Sequence, residues 1–366
     1  MARIQLVDLA HSYDAMPGVS PGDTDASLAW ALKPMTMTWE DGGAYALLGP
    51  SGCGKTTLLN LISGIRRPTR GRILFDDRDV TALPAEARNI AQVFQFPIVY
   101  DTMTVYDNLA FPLRNRDWPR NKIRDRVHQI GELLELTEDL HRRARDLSAE
   151  AKQKISLGRG LVRPDVSAVL FDEPLTVIDP HLKWLLRRKL KQIHQQLRLS
   201  LIYVTHDQTE ALTFADSVVL MSEGEVVQVG TAEELFEAPA RRFAGEFIGT
   251  PGMNFLNCQW DGSVARAAGV PLRTCSATTP LTQSPLSVGI RPEYLQLVED
   301  SGPNCVPAQV ISVSDQGVNT LCELEIANQH LWAKLPSPCT LPASRQAFAR
   351  FPAERCALYS DGRRLT

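Results

Sequence analysis

Nine residues, GPSGCGKTT from Gly49 to Thr57, hold two glycines, a lysine and a threonine in the spacing G-x-x-x-x-G-K-[ST]. Glycines at these places let backbone N–H groups curl around phosphate oxygens. Lys55 adds a cation that can sit between terminal phosphates. Gly49, Pro50, Ser51, Gly52, Cys53 and Gly54 would form the cradle and Thr57 its far edge, while the Thr56 hydroxyl suits Mg²⁺. The bland alternative is a Gly-rich turn with an incidental lysine. The strand-like run AYALLG before the motif and the helical run TTLLNLISGI after it favour the phosphate loop, because a helix N-terminus adds its dipole to the same anion.

Two further places carry groups of the right kind. Asp172 and Glu173 close the apolar run AVLF; an aspartate there can hold Mg²⁺, and the adjacent glutamate can orient or deprotonate an attacking water. Alone the pair would read as an ordinary turn; beside a phosphate loop it reads as chemistry. His206 ends the run LIYVT and could donate to a γ-phosphate, although a lone histidine is more often structural. The stretch LSAEAKQKISLGRG, from Leu147 to Gly160, has a serine-led helix start of the kind that receives an anion, yet Glu150 puts a carboxylate in its first turn.

The elements that must position these groups alternate in type. Up to about residue 240, apolar strand-like runs alternate with helical ones, as in parallel α/β proteins, and the runs ending in Gly49, Asp172 and His206 place polar residues where open sheets bind ligands. Leu186, Leu190, Ile193 and Leu197 recur on one face of a packing helix. Residues from about 96 to 160 read as a mainly helical insertion, and Asp14 to Ser27 as a Gly/Pro/Asp/Ser loop. IGTPGMNFL reads as a linker, and short strands, prolines and turns follow it in an all-β appendage.

Composition excludes several classes. A chain of 366 residues makes roughly two to three domains. A net charge of -3 argues against a dedicated nucleic-acid binder, and no run approaches the ~18 apolar residues of a membrane span. The start shows no signal-peptide pattern, so the expected compartment is the cytosol. The seven cysteines, Cys53, Cys258, Cys275, Cys305, Cys322, Cys339 and Cys356, include no C-x-x-C pair, which favours free thiols over a zinc site.

The order of the motifs is more specific than any one of them. Gly49 to Thr57, VFQ ending at Gln95, the LS…Q segment from Leu147 to Gln153, LFDEP, the IDP turn at Ile178 to Pro180 and VTHDQTEA form one series. This series resembles the ATPase subunits of ABC transporters over essentially the whole chain. The resemblance implies a P-loop ABC ATPase domain over residues 1–240 with a helical subdomain at about 96–160. A linker at 241–256 and a small OB-like TOBE domain at 257–366 would follow, the latter suggested by FIGTPGMNFL and VGIRPE. It implies ATP and Mg²⁺ as cofactors, Lys55, Glu173 and His206 as catalytic groups, and Thr56, Gln95 and Asp172 at the metal. Tyr13 would stack on adenine, and Asp179 would organise a dimer interface. Maleimides are expected to label Cys53 and ATP to protect it, because Lys55 and the helix N-terminus should lower its thiol pKa. An oligonucleotide role for the OB-like tail finds no basic groove with interleaved aromatics.

In this family two ATPase subunits close head to tail, each signature helix facing the other's nucleotide. The family signature LSGGQ stands here as Leu147, Ser148, Ala149, Glu150 and Ala151, so its second glycine is a carboxylate. The resemblance therefore implies a second, different ATPase subunit with an intact signature, two transmembrane permease subunits, and an indirect solute-binding partner outside the membrane. FPIVYDTMTVYDNLAFPLRNR and LSAEAKQKISLGRGLVR resemble the second ATPase type of bacterial glycerol importers. The expected seat is the cytoplasmic face of the bacterial plasma membrane. The alternatives are a homodimeric ATPase of a sugar or glycerol-phosphate importer and a soluble ABC ATPase of DNA repair or translation.

Overall fold

The computed structural model describes residues 2–14, 29–176, 178–261, 264–272, 286–338 and 345–365. Most of the Asp14 to Ser27 segment, with Cys275 and Cys339, lies outside them. The chain divides into two compact units, Met1–Ala232 and Glu233–Thr366.

In the first unit a parallel sheet carries the chemistry. Its strands are β3 (Ala44–Leu48), β6 (Ile90–Val93), β7 (Ala168–Asp172), β8 (Leu201–Thr205), β9 (Ser217–Ser222) and β10 (Glu225–Gly230), in the order β10-β9-β3-β8-β7-β6. Only the β9–β10 pair is antiparallel. Both faces are buried, and side chains alternate between them with the strand period of two. Leu201 and Tyr203 of β8 face one core and Ile202 and Val204 the other; Val169 and Phe171 of β7 divide from Ala168 and Leu170 in the same way. Each such side chain stabilises the fold by roughly 1.5–3 kcal/mol, which is why these runs read as continuously apolar.

One face packs on α1 (Lys55–Ser63) and on an antiparallel sheet of β1 (Ile4–Ser12), β2 (Trp30–Trp39), β4 (Arg70–Phe75) and β5 (Arg78–Asp79). The other packs on α2 (Val105–Arg114), α3 (Arg120–Leu133), α4 (Ala149–Leu161) and α5 (Pro180–Leu197). Three of these helices fall within the segment expected to be a helical insertion. A short α6 (Gln208–Phe214) follows β8. Four of these helices begin at side-chain caps: Thr104 accepts from the Asp107 N–H, Ser148 from that of Ala151, Asp179 from those of His181 and Leu182, and Asp207 from those of Thr209 and Glu210.

The second unit begins with α7 (Ala232–Glu237) and α8 (Arg242–Phe247) and continues as strands. β11 (Asn254–Trp260), β12 (Ala265–Ala267), β13 (Val270–Leu272), β14 (Leu286–Ile290), β20 (Cys356–Ser360) and β21 (Arg363–Arg364) form one sheet. β15 (Gln296–Val298), β16 (Cys305–Asp315), β17 (Asn319–Ile326), β18 (Gln329–Pro336) and β19 (Gln346–Arg350) form the other. The segment read as a linker is packed rather than free: Met253 and Phe255 are buried with Ala357 and Tyr359, and Asn254 starts β11. Arg291 of the VGIRPE string is buried and donates to the Leu235, Phe236, Gly245 and Ile248 carbonyls, tying the two helices to the strands of this unit. Among the described residues, no helix is long and apolar enough to cross a membrane.

Candidate functional site

The phosphate loop joins the carboxyl end of β3 to α1 and can close only with glycine at two positions. A Cβ on Gly49 would stand 2.2 Å from the Met221 carbonyl oxygen. Gly54, the N-cap of α1, has φ 104° and would place a Cβ 2.7 Å from the Ala31 oxygen. Inside the loop the Lys55 ammonium donates to the Gly49 and Pro50 carbonyls at 2.8 and 2.9 Å. Pro50, Ser51 and Gly52 form its outer rim, and Thr57 lies in the first turn of α1.

β7, which lies on the other side of β8 from β3, brings the acids to this loop. β7 ends at Asp172, whose Oδ1 accepts from the Thr56 hydroxyl at 3.1 Å. Burial pushes the Asp172 carboxyl up, Glu173 adds to the shift, and the Thr56 hydrogen bond and Lys55 oppose it. Glu173 then turns the chain with φ 46°, its N–H held by the Val204 carbonyl at 3.0 Å. That left-handed turn presents its carboxylate to the end of β8, where Oε2 lies 3.1 Å from His206 Nδ1 and accepts from the Thr176 hydroxyl at 3.2 Å. Gln95 follows the adjacent strand β6, at the same sheet edge as the acids. Thus Lys55, Thr56, Asp172, Glu173 and His206 come together at one end of the sheet.

Mg²⁺ fits the oxygens present. Thr56 Oγ1 and Asp172 Oδ1 form a pair of hard donors beside a loop built for phosphate, and Mg²⁺ needs only one or two protein oxygens when phosphates complete its shell. Among the described residues no group of three or more His, Cys, Asp or Glu is gathered for a metal of another kind.

Cys53 requires a correction. Its side chain is 3% exposed, and burial raises the thiol pKa despite the Lys55 ammonium 3.8 Å from Sγ. The lysine's charge is spent on two carbonyls, and the apolar wall of the core disfavours a thiolate more than the cation favours it. The reactive thiol expected from sequence is a shielded one.

Tyr13 stands at the rim of the loop, 54% exposed, with its hydroxyl 2.8 Å from Thr57 Oγ1. The Arg66 guanidinium lies over the ring at 4.8 Å, and His11 meets it edge-on at 4.9 Å. Asp179 is the cap of α5 described above. Ser148 caps α4, with Ala149 and Glu150 in its first turn. The Glu150 carboxylate is paired with Lys154 at 3.1 Å, and Lys154 and Lys189 both reach Glu135, at 3.8 and 3.6 Å. This chain of charges was not read from the sequence, although the i,i+4 spacing of Glu150 and Lys154 signals its first link.

The packing roles of three more residues escaped sequence reasoning, although Gln153 closes the LS…Q segment. Gln153 is fully buried and donates to the Pro174 carbonyl, linking α4 to the turn that carries Glu173. Thr176 steadies the Glu173 carboxylate. Glu210, 3% exposed, accepts from Tyr203 and Thr205 hydroxyls at 3.0 and 2.8 Å and fixes the segment that holds His206. Gln153 and Glu210 find their partners on other elements, and Thr176 finds its own three residues back in a turn whose shape the spacing does not reveal.

Residues 32–176 match the ABC transporter family. The sn-glycerol-3-phosphate import ATP-binding protein UgpC of Yersinia pestis is 36% identical over 342 residues, covering 92% of this chain and 90% of that protein. The trehalose/maltose import ATP-binding protein MalK of Thermococcus litoralis is 46% identical over 234 residues, 62% of each chain. A solved structure of cbiO1 from Clostridium perfringens, part of the ABC transporter complex cbiONQ, matches with a TM-score of 0.56 at 26% identity, covering 64% of this chain and 90% of that one.

Proposed function

We infer that this chain, which belongs to the ABC transporter family, is the ATP-hydrolysing subunit of an importer for a small polyol and works beside a different ATPase subunit. The observation that carries the catalytic assignment is the gathering of Lys55, Asp172, Glu173 and His206 at the carboxyl edge of one parallel sheet. The Lys55 ammonium would bind the terminal phosphates. The Glu173 carboxylate would take a proton from the attacking water as the new P–O bond forms and the bond to ADP breaks. His206 would donate to the γ-phosphate, oriented by Glu173, and Thr176 would hold Glu173 in place. Thr56, Asp172 and Gln95 would hold Mg²⁺, which supplies neutralising charge for the phosphates when bound. Substitution of Glu173 tests the assignment, as set out at the close of the Discussion.

A permease contact is supported at one face. Phe94, Phe96, Ile98 and Tyr100 are all exposed, Phe96 by 67% and Ile98 by 49%, and exposed apolar side chains gathered in one place mark interaction surfaces. Beside them lies a cavity of about 210 Å³ lined by Phe94, Ile98, Pro112, Ser156 and Arg159, together with Gln92. The buried amide oxygen and nitrogen of Gln92 have no hydrogen-bond partner among the described residues. We propose that a segment of a transmembrane subunit covers this groove, with the solute-binding protein acting through that subunit and the chain seated on the cytoplasmic membrane face.

Heterodimer pairing rests on Ala149 and Glu150, which stand where a signature would offer glycine amides to a partner's nucleotide, and on Ala151 in place of its glutamine. A second account, a homodimer with a working signature, is favoured by the Glu150–Lys154 pair, since a neutralised carboxylate repels less. Glycerol is proposed from likeness of sequence strings; similarity to glycerol-3-phosphate and trehalose/maltose import proteins supports the broader class of small hydroxylated solutes. Tagged purification of the chain from membranes, with mass spectrometry of what accompanies it, distinguishes one ATPase species from two. The β-strand unit is proposed to be a TOBE domain at about residues 257–366.

A further inference from the structure

We propose that Arg66 is a base-positioning residue that holds Tyr13 ready to receive a purine, a role that rests on the ATP site assigned above. The Tyr13 ring is constrained from three directions. Its hydroxyl is 2.8 Å from Thr57 Oγ1 in the first turn of α1, the His11 ring stands nearly perpendicular to it with centroids 4.9 Å apart, and one face lies under the Arg66 guanidinium at 4.8 Å. Arg66 is itself fixed at its backbone, where its N–H donates to the Asn60 carbonyl at 3.0 Å. It therefore moves with the helix that begins at the phosphate loop.

An aromatic side chain that is 54% exposed would ordinarily rotate among rotamers, and a base stacking on it would have to arrest that motion. With the hydroxyl pinned and one face covered by a cation, a base that leaves Arg66 in place would have to stack on the opposite face. Stacking on an aromatic is available to any base, so the platform adds affinity without reading hydrogen-bond edges. The contact Arg66 makes here is with the ring, so its effect is expected on the nucleoside part of the ligand. His11, whose pKa burial and Arg66 both lower, stays neutral and adds no competing charge beside the pair.

The test compares Mg-ATP with Mg-tripolyphosphate, which lacks base and sugar, by calorimetric titration of the full chain. Arg66→Ala is expected to weaken ATP binding about two- to fivefold, the range of an exposed cation–π contact, and to leave tripolyphosphate binding unchanged. In the assembled transporter the same variant should raise KM for ATP by that factor with kcat unaltered, and Arg66→Lys should recover part of the loss. Equal weakening of both ligands would make Arg66 a merely structural residue and overturn the proposal. So would no change, or tighter ATP binding, which would mean that Arg66 occupies the face the purine needs. If wild-type chain binds tripolyphosphate as tightly as ATP, the base platform itself fails while the phosphate loop stands; binding of neither ligand refutes the ATP site and the proposal with it.

Discussion

Neutralising one side chain should switch on the self-paired chain. When two copies close head to tail, each would set Glu150 against the other's terminal phosphate. A carboxylate about 4 Å from a phosphate charge is repelled by about 4 kcal/mol at an effective dielectric of ~20. The Lys154 ammonium, 3.1 Å from the Glu150 oxygen and taken on the far side of it, lies about 7 Å from that phosphate. At that distance it returns about 2 kcal/mol, leaving a net cost of about 2 kcal/mol, or about thirtyfold. Glu150→Gln removes the charge and keeps the side chain's size. ATP turnover of the purified chain, measured across a concentration series so that self-association is read in the same experiment, should rise by about one to one and a half orders of magnitude. Lys154→Gln should lower the residual activity of the wild type, and the double substitution should regain it. High salt should shrink both effects. Converting Ala149→Gly, Glu150→Gly and Ala151→Gln together should raise turnover further, because glycine lets backbone amides approach the phosphate. Equal turnover by wild type and Glu150→Gln would refute the electrostatic account, and with it the asymmetric pair in favour of a homodimer.

Other consequences follow from the same geometry. Lys55→Ala should weaken binding of ATP and of tripolyphosphate alike by at least tenfold in calorimetry, since its ammonium serves phosphate rather than base. Asp172 is held protonated above its ordinary range by burial, so the stability its neutral form contributes is complete at low pH. That stability is lost as pH rises through the raised pKa, where the buried carboxylate ionises. Asp172→Asn should accordingly raise the melting temperature at neutral pH while abolishing Mg²⁺-dependent turnover; a lower melting temperature would contradict the buried-charge account. Cys53, buried with a raised thiol pKa, should resist maleimide at pH 7.5 with or without Mg-ATP, and rapid ATP-protected labelling would show that the loop opens far more than its packing implies.

How much of this was legible in the sequence depends on how far each cause reaches along the chain. Gly49 to Thr57 could be read because the strand, the turn and the helix that form the loop are contiguous in sequence, although the Met221 and Ala31 carbonyls that require glycine at Gly49 and Gly54 come from elsewhere in the chain. Asp172 and His206 were legible because apolar runs buried on both faces are unbroken, so the first polar residue marks the strand's end. The alternating faces of β7 and β8 could not be seen in those runs, since both sides are apolar. Cys53 was misread because its neighbours in sequence are a lysine and a helix start, while its environment is set by residues brought from elsewhere in the fold. Glu150 was read as an isolated charge although its Lys154 partner sits one turn away; the links onward to Glu135 and Lys189 cross three helices and leave no trace in spacing. Arg66 lies 53 positions from Tyr13, and nothing in either local sequence pairs them.

The claim that this chain hydrolyses ATP through its own site is tested most directly by Glu173→Gln in the assembled transporter under single-turnover conditions. The amide cannot accept the water's proton, while Lys55 and the loop that bind the phosphates are untouched. Mg-ATP should bind with wild-type affinity, and its cleavage should slow by about two to four orders of magnitude. Cleavage at the wild-type rate would show that Glu173 is not the base, and that the catalytic site lies elsewhere than on this sheet edge.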